Sequence, residues 1–206
     1  MNDIERLYIE LKQRYGQPKG QWSLWCKRPK TESEREEVIV GAVLTQRTSW
    51  NNVERAIQNL KRAEKIRLRD IYKTAPRELI PLIRPVGFYK TKTDYLLNLA
   101  RFVIEEYGSI ANLKNKKTHN LRRKLLALKG VGPETADSIL LYSVDKPVFV
   151  IDEYTRRLIN RYQLTERVDY NYLQRLFEEN LRRDFRLYQD FHALIVIDGK
   201  KQNQKP

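Results

Sequence analysis

Cysteine is nearly missing from this chain. Cys26 is the single one among 206 residues, which excludes a disulfide framework or a four-thiolate iron–sulfur site built from these residues. Histidine is almost as scarce. His119 and His192 lie far apart without metal-ligand spacing, so both are expected to be structural and no metal site is expected. No apolar run approaches membrane-spanning length. The start, Met1 to Tyr15, is amphipathic and partly acidic, with no signal-peptide core. The expectation is a reducing, cytoplasmic setting without membrane attachment. Period-two alternation, internal repeats and low-complexity tails are missing too. Acidic residues are in deficit: 26 Asp and Glu stand against 40 Lys and Arg, a net charge of +14. Such an excess suits a polyanion, nucleic acid first. Because it is spread through helical segments, it fits a folded binding face better than a disordered arm.

What is present reads almost entirely as helix. Ile4 to Tyr15 carries Ile4, Leu7, Tyr8 and Leu11 on one face. Gly16 to Lys30 reads as a loop holding Trp22 and Trp25. Thr31 or Ser33 can cap the next helix, whose first turn is acidic and whose Val38–Leu44 run should be buried. Ser49 can cap a helix from Trp50 to about Glu64. Short pieces follow at Leu68–Lys73 and Arg77–Ile83, then a turn at Arg84–Tyr89 and a long helix to Tyr107. Ile110–Lys117 reads as a connector. Helices are expected again from Thr118, and at Glu153–Tyr162, Tyr170–Leu181 and Phe185–Asp198. The fold class is all-α.

The stretch with the most chemistry in it is Leu125 to Asp152. Gly130-Val131-Gly132 separates two helix-like runs, and Pro133 suits a first helical position. Two helices joined by such a turn form a helix-hairpin-helix. The glycines permit a tight turn with no side chain in the way. Successive N–H groups can then reach a phosphate oxygen. Alone, such a hairpin is a non-specific DNA-docking unit. Here an apolar run, Pro147 to Ile151, follows it and ends in the carboxylate of Asp152.

Leu128-Lys129-Gly130-Val131-Gly132, Thr135-Ala136-Asp137 and then Val150-Ile151-Asp152-Glu153-Tyr154 resemble the helix-hairpin-helix DNA glycosylases of the endonuclease III superfamily. The nearest branch is the 3-methyladenine DNA glycosylases without an iron–sulfur cluster. Gly41–Gln46, Arg84–Leu96 and Phe191–Lys200 extend the likeness over most of the length. It implies two helical domains with a cleft between them. Residues 31–146 would form a helical barrel, and residues 1–30 with 147–206 a second domain. Asp152 takes the catalytic position. Gln46 falls at the plug position, and Phe88 at the wedge position. Gly130, Val131, Gly132 and Thr135 form the DNA-binding hairpin. Glu134 stands where lyase members carry lysine, which implies a monofunctional enzyme. The resemblance implies no iron–sulfur cluster and admits a monovalent cation at the hairpin.

The residue types support this chemistry. A base inside a duplex must be flipped out before its glycosidic bond can be reached. Trp50 and Trp25, with Tyr89 behind them and Glu134 near the hairpin, are the candidate base pocket. Aromatic faces stack on any base and attract a cationic one more strongly. Trp22 is expected to pack. An ionised Asp152 can stabilise the sugar cation and orient or deprotonate water; it can also cap the following helix. The expected partner is double-stranded DNA with damaged bases, alkylated purines first, bound by a monomer. The competing readings are a uracil or mismatched-thymine glycosylase, and a non-catalytic DNA-binding module.

Overall fold

The computed structural model describes residues 1–202, and all regular structure among them is helical. The α-helices are α1 (Asp3–Tyr15), α2 (Trp22–Trp25), α3 (Glu32–Leu44), α4 (Trp50–Arg62), α5 (Leu68–Lys73), α6 (Pro76–Ile83) and α7 (Tyr89–Tyr107). They continue as α8 (Ile110–Lys114), α9 (Thr118–Leu126), α10 (Pro133–Ser138), α11 (Glu153–Arg161), α12 (Tyr170–Asn180) and α13 (Phe185–Gln202). A 3-10 turn covers Arg84–Val86, and a π turn at Ile139–Ser143 extends α10. No helix among the described residues is long and apolar enough to cross a membrane.

Two stretches expected as connectors contain single helical turns, α2 and α8. A four- or five-residue helix shows no full apolar period, so its sequence looks like a loop. In α8 the Ser109 side chain accepts from the Asn112 N–H at 3.3 Å, a local cap that holds the turn.

Contacts divide the chain into two compact units. One is Pro29–Ile139; the other joins Met1–Arg28 to the chain from Leu140 onward. Leu140–Lys146, which the sequence reading gave to the barrel, therefore clusters with the terminal segments.

In the first unit, α3 begins with a capping box. Thr31 Oγ1 accepts from Glu34 N, and the Glu34 carboxylate accepts from Thr31 N at 2.8 Å. Its apolar run from Val38 to Leu44 is buried, as its composition requires. Buried Glu36 accepts from Arg67 Nε at 2.6 Å and from Leu68 N at 3.0 Å, tying α3 to the start of α5. Helix α4 turns Val53, Ala56, Ile57 and Leu60 inward, and α7 turns Leu96, Leu99, Ala100 and Val103 inward.

Lys92, on α7, is buried. Its Nζ donates to the carbonyls of Leu44 at 2.8 Å and Val86 at 3.1 Å, the last carbonyl of α3 and that of the 3-10 turn. Burial pushes the ammonium from 10.5 down to about 8. An unfolded lysine keeps its proton to its ordinary value, so from about pH 8 to 10.5 the unfolded chain binds more protons. Stability relative to Lys92→Met is therefore expected to rise across that window by up to about 3 kcal/mol, and to be flat below it. Paired denaturation curves at pH 7, 9 and 10 measure this; a difference that falls or stays level above pH 8 contradicts it.

In the second unit, Ile4, Leu7 and Leu11 of α1 are buried, and α1 packs on α13. Phe149 stacks on Phe177 with ring centroids 4.3 Å apart and meets Phe191 edge-on at 5.7 Å. Asp198, fully buried on α13, accepts from Tyr15 Oη at 2.8 Å and pairs with Arg14 and Arg161. That network joins α1, α11 and α13. Tyr154 of α11 lies so close to Gly199 that a Cβ there would come within 2.5 Å of the ring.

Candidate active site

The hairpin is built within the first unit. Leu121 and Leu125 bury the inner face of α9. The turn closes with Val131 N donating to Leu128 O at 3.1 Å. Gly130 has φ +93°, and a Cβ on it would fall 2.1 Å from Cγ of Tyr95. Both facts require glycine there. Gly132 is different. It is the exposed N-cap of α10 at φ −85°, and a Cβ would meet nothing within 4 Å. Protein packing demands only the first glycine; the second leaves open space in front of the start of α10. Beneath the turn, fully buried Asp137 receives a two-pronged bond from Arg122, Nε at 2.7 Å and Nη2 at 2.9 Å. This pair stitches α9 to α10 and sets the hairpin's angle.

A cavity of about 650 Å³ lies against the turn, lined by Gln46, Arg47, Phe88, Thr91, Lys92, Tyr95, Gly130, Val131, Gly132, Glu134 and Thr135. Gln46 Nε2 donates to Gly130 O at 2.9 Å and to Thr135 Oγ1 at 3.0 Å. Both amide hydrogens are thus spent on the hairpin. Phe88 caps α7 in the left-handed region, φ +45°, with 68% of its surface exposed. It is no core anchor. A strained, solvent-facing aromatic residue is costly unless it contacts something outside the chain. Glu134 is exposed in the first turn of α10, where a carboxylate suits the helix dipole. Trp50 and Tyr89, the first residues of α4 and α7, are half-buried and do not line this cavity.

Asp152 belongs to the other unit. It is the N-cap of α11, and its Oδ1 accepts from Thr155 N at 2.8 Å and Thr155 Oγ1 at 2.9 Å. Its Oδ2 lies 3.4 Å from Nε2 of His192, on α13. Burial alone would raise this carboxyl. The facing His192 and the bonds from Thr155 outweigh burial and hold it below its ordinary value of 3.8. It therefore stays ionised at neutral pH. His192 Nδ1 lies 2.7 Å from Tyr142 Oη, which also reaches Gln189 O at 3.2 Å. Trp22 and Trp25 meet each other and Tyr142 at 5.1–5.7 Å, and Trp22 meets His192 edge-on at 5.8 Å. Trp22 and Trp25 are thus neighbours in one aromatic cluster. Burial lowers the Lys200 ammonium, partly offset by the attraction of Asp152, and Lys200 Nζ donates to Gln21 Oε1 at 2.7 Å.

The family model described as the HhH-GPD superfamily of base excision DNA repair proteins matches residues 40–183, from α3 through α12. The chain belongs to that superfamily. It is 46% identical over 170 residues to "Putative DNA repair glycosylase MJ1434" of Methanocaldococcus jannaschii, covering 81% of this chain and 77% of that protein. It is 27% identical over 177 residues to the thymine/uracil-DNA glycosylase of Methanothermobacter thermautotrophicus, covering 82% and 76%. Among solved structures, the H. pylori 3-methyladenine DNA glycosylase MagIII bound to 1,N6-ethenoadenine matches with a TM-score of 0.78 at 30% identity, covering 100% of both chains.

Within this glycosylase superfamily chain, the structure gathers Gly130, Val131, Gly132, Thr135, Gln46, Phe88 and Glu134 around one cavity. Asp152 and Trp25 share the other unit, while Trp50 and Tyr89 lie with the hairpin's unit. The sequence reading did not single out Tyr142, and it expected His192 to be structural; the structure sets His192 between Asp152 and Tyr142. The only sequence signal was weak: His192 lies in Phe191–Lys200, the stretch already matched to the family's terminal helix.

Proposed function

We propose that this DNA glycosylase is monofunctional and excises alkylated purines, 3-methyladenine first, from double-stranded DNA, leaving an abasic site and an uncut strand. The observation that carries the reading is the Asp152 carboxylate. It is held ionised by Thr155 and His192, in a unit where Trp22 packs on His192 and Trp25 packs on Trp22 and Tyr142. An N3-alkylated adenine is cationic in DNA. Its C1′–N bond breaks with the electron pair leaving on the base, which departs neutral and needs no general acid. The sugar cation left behind is stabilised by the anion of Asp152 and captured by water, whose proton passes to the carboxylate or solvent. Trp25, buried in the cluster with Trp22 and Tyr142, is the candidate for an electron-rich face against a cationic ring, and Trp50 is a second on its aromatic character. The likeness to MagIII supports the substrate class.

Glu134 supports the absence of lyase chemistry, because a carboxylate there cannot form a Schiff base with C1′. The reading assigns no iron–sulfur cluster, since one cysteine cannot supply four thiolates. A monovalent cation at the hairpin would seek backbone carbonyls, and that of Gly130 already accepts from Gln46.

One observation favours a second reading, removal of uracil or mismatched thymine: the relative of that name is similar over 82% of this chain. Single-turnover excision from duplexes carrying 3-methyladenine, uracil or a G·T mismatch, with alkali cleavage of abasic sites, separates the two. The expected result is fastest release of 3-methyladenine, no cleavage without alkali and no adduct trapped by borohydride. Faster release of uracil replaces the first reading by the second. A trapped adduct ends the monofunctional assignment and directs attention to Lys129 or Lys200.

A further inference from the structure

Asp152 is held from one side only. Its Oδ1 takes both bonds from Thr155, while Oδ2, the oxygen left for chemistry, has His192 as its neighbour. His192 is buried, and its Nε2 makes no hydrogen bond of good geometry; the 3.4 Å approach to Oδ2 is long. A buried ring nitrogen without a partner is costly, and such groups in native proteins mark strain or function. The proton on this imidazole can be placed. Where the Tyr142 hydroxyl donates to Nδ1 across 2.7 Å, the imidazole proton sits on Nε2. Where that hydroxyl instead donates to Gln189 O, Nδ1 donates to it, and a bare Nε2 lone pair would face a carboxylate. The facing anion disfavours that arrangement relative to the first, in which Nε2–H points at the carboxylate. Hydrogen bonds used in catalysis are often long before substrate binds and tighten in the productive complex.

We propose that His192, fixed by Tyr142, is a positioning residue that aims Oδ2 of Asp152 by donating its Nε2–H as base leaves sugar. Packing surrounds the ring: His192 is buried, with Trp22 edge-on at 5.8 Å and Phe149 at 6.4 Å. The inference rests on the assignment of Asp152 as the catalytic carboxylate. A misplacement of about 1 Å at such a group can cost roughly 10²-fold in rate.

The test is single-turnover excision of 3-methyladenine by four variants, with duplex binding and thermal melting measured on each. His192→Phe keeps an aromatic ring and removes both nitrogens, and Tyr142 retains Gln189 O as its acceptor. It is expected to slow excision about 10²-fold with duplex affinity unchanged. His192→Gln restores an N–H near the place of Nε2 and is expected to recover the rate to within about tenfold. A purely structural histidine predicts no such rescue. Tyr142→Phe removes only the hydroxyl and is expected to slow excision by several-fold; it carries the test if His192→Phe does not fold. A wild-type rate in His192→Phe, or in Tyr142→Phe where His192→Phe is unfolded, overturns the inference. So does a His192→Gln variant as slow as His192→Phe. Asp152→Asn is the fourth arm. If it still excises at a wild-type rate, the assignment of Asp152 itself fails. If it is inactive while His192→Phe is not, only the role of His192 fails.

Discussion

Asp152→Asn is expected to lower the single-turnover rate of base excision by about 10²–10³-fold while leaving duplex affinity within a factor of two to three. The variant is clean for a structural reason. The side-chain oxygen of Asn accepts hydrogen bonds as Oδ1 of Asp152 does from Thr155, and Asn and Asp cap helices about equally well. Helix α11 should therefore keep its start, and the melting temperature should move little. What disappears is the negative charge opposite His192, and with it the stabilisation proposed for a developing sugar cation. Affinity is expected to come from phosphate contacts and the basic surface, which the substitution does not touch. A rate near that of the parent protein would remove Asp152 from the mechanism. A variant that both loses activity and melts far below the parent would assign the residue to the cap alone.

Gly130→Ala is expected to have the largest effect on stability and on DNA binding together. At φ +93° a Cβ is strained in any setting, and here it would also drive into the Tyr95 ring. The clash is with Cγ and Cδ of Tyr95, at the root of the ring on α7, so the ring as a whole would have to shift. Overpacking and backbone strain together should cost about 2–4 kcal/mol. Affinity should fall as well, because the hairpin amides lose their alignment. Gly132→Ala is the control: its φ of −85° suits any residue and a Cβ meets open space. It should keep stability and lose affinity only so far as a phosphate must approach that Cβ. Equal destabilisation by both substitutions would contradict this account of the hairpin.

The contrast between the glycines shows how far the sequence could be read. The hairpin, the Thr31 cap and the buried Val38–Leu44 run were legible, because turn chemistry, capping and periodicity act between residues close along the chain. Asp152 was legible both as a cap and as a candidate acid group, since both properties follow from its neighbours in sequence. That the two glycines differ was not legible; it depends on Tyr95, which only the packing of α7 brings to the turn. The surroundings of His192 were not legible either: Asp152 and Tyr142 meet it only when α13 is in place. The fate of the Gln46 amide likewise appears only once the end of α3 reaches the hairpin.

The discontinuous make-up of the terminal unit has a consequence for biosynthesis. Pro29–Ile139 is one unbroken segment, so it can condense as soon as it leaves the ribosome. The unit that holds Asp152 cannot. Helix α1 is synthesised long before α13, yet Ile4, Leu7 and Leu11 must wait for α13 to pack on α1. Meanwhile the capping box formed by Asn2 and Glu5 favours α1 as a helix before it has a partner. Arg14 and Tyr15 likewise wait for Asp198. A nascent chain halted before α13 would thus hold a finished hairpin while the unit that carries Asp152 is unfinished. Such a chain is expected to engage duplex DNA without being able to cut a base from it.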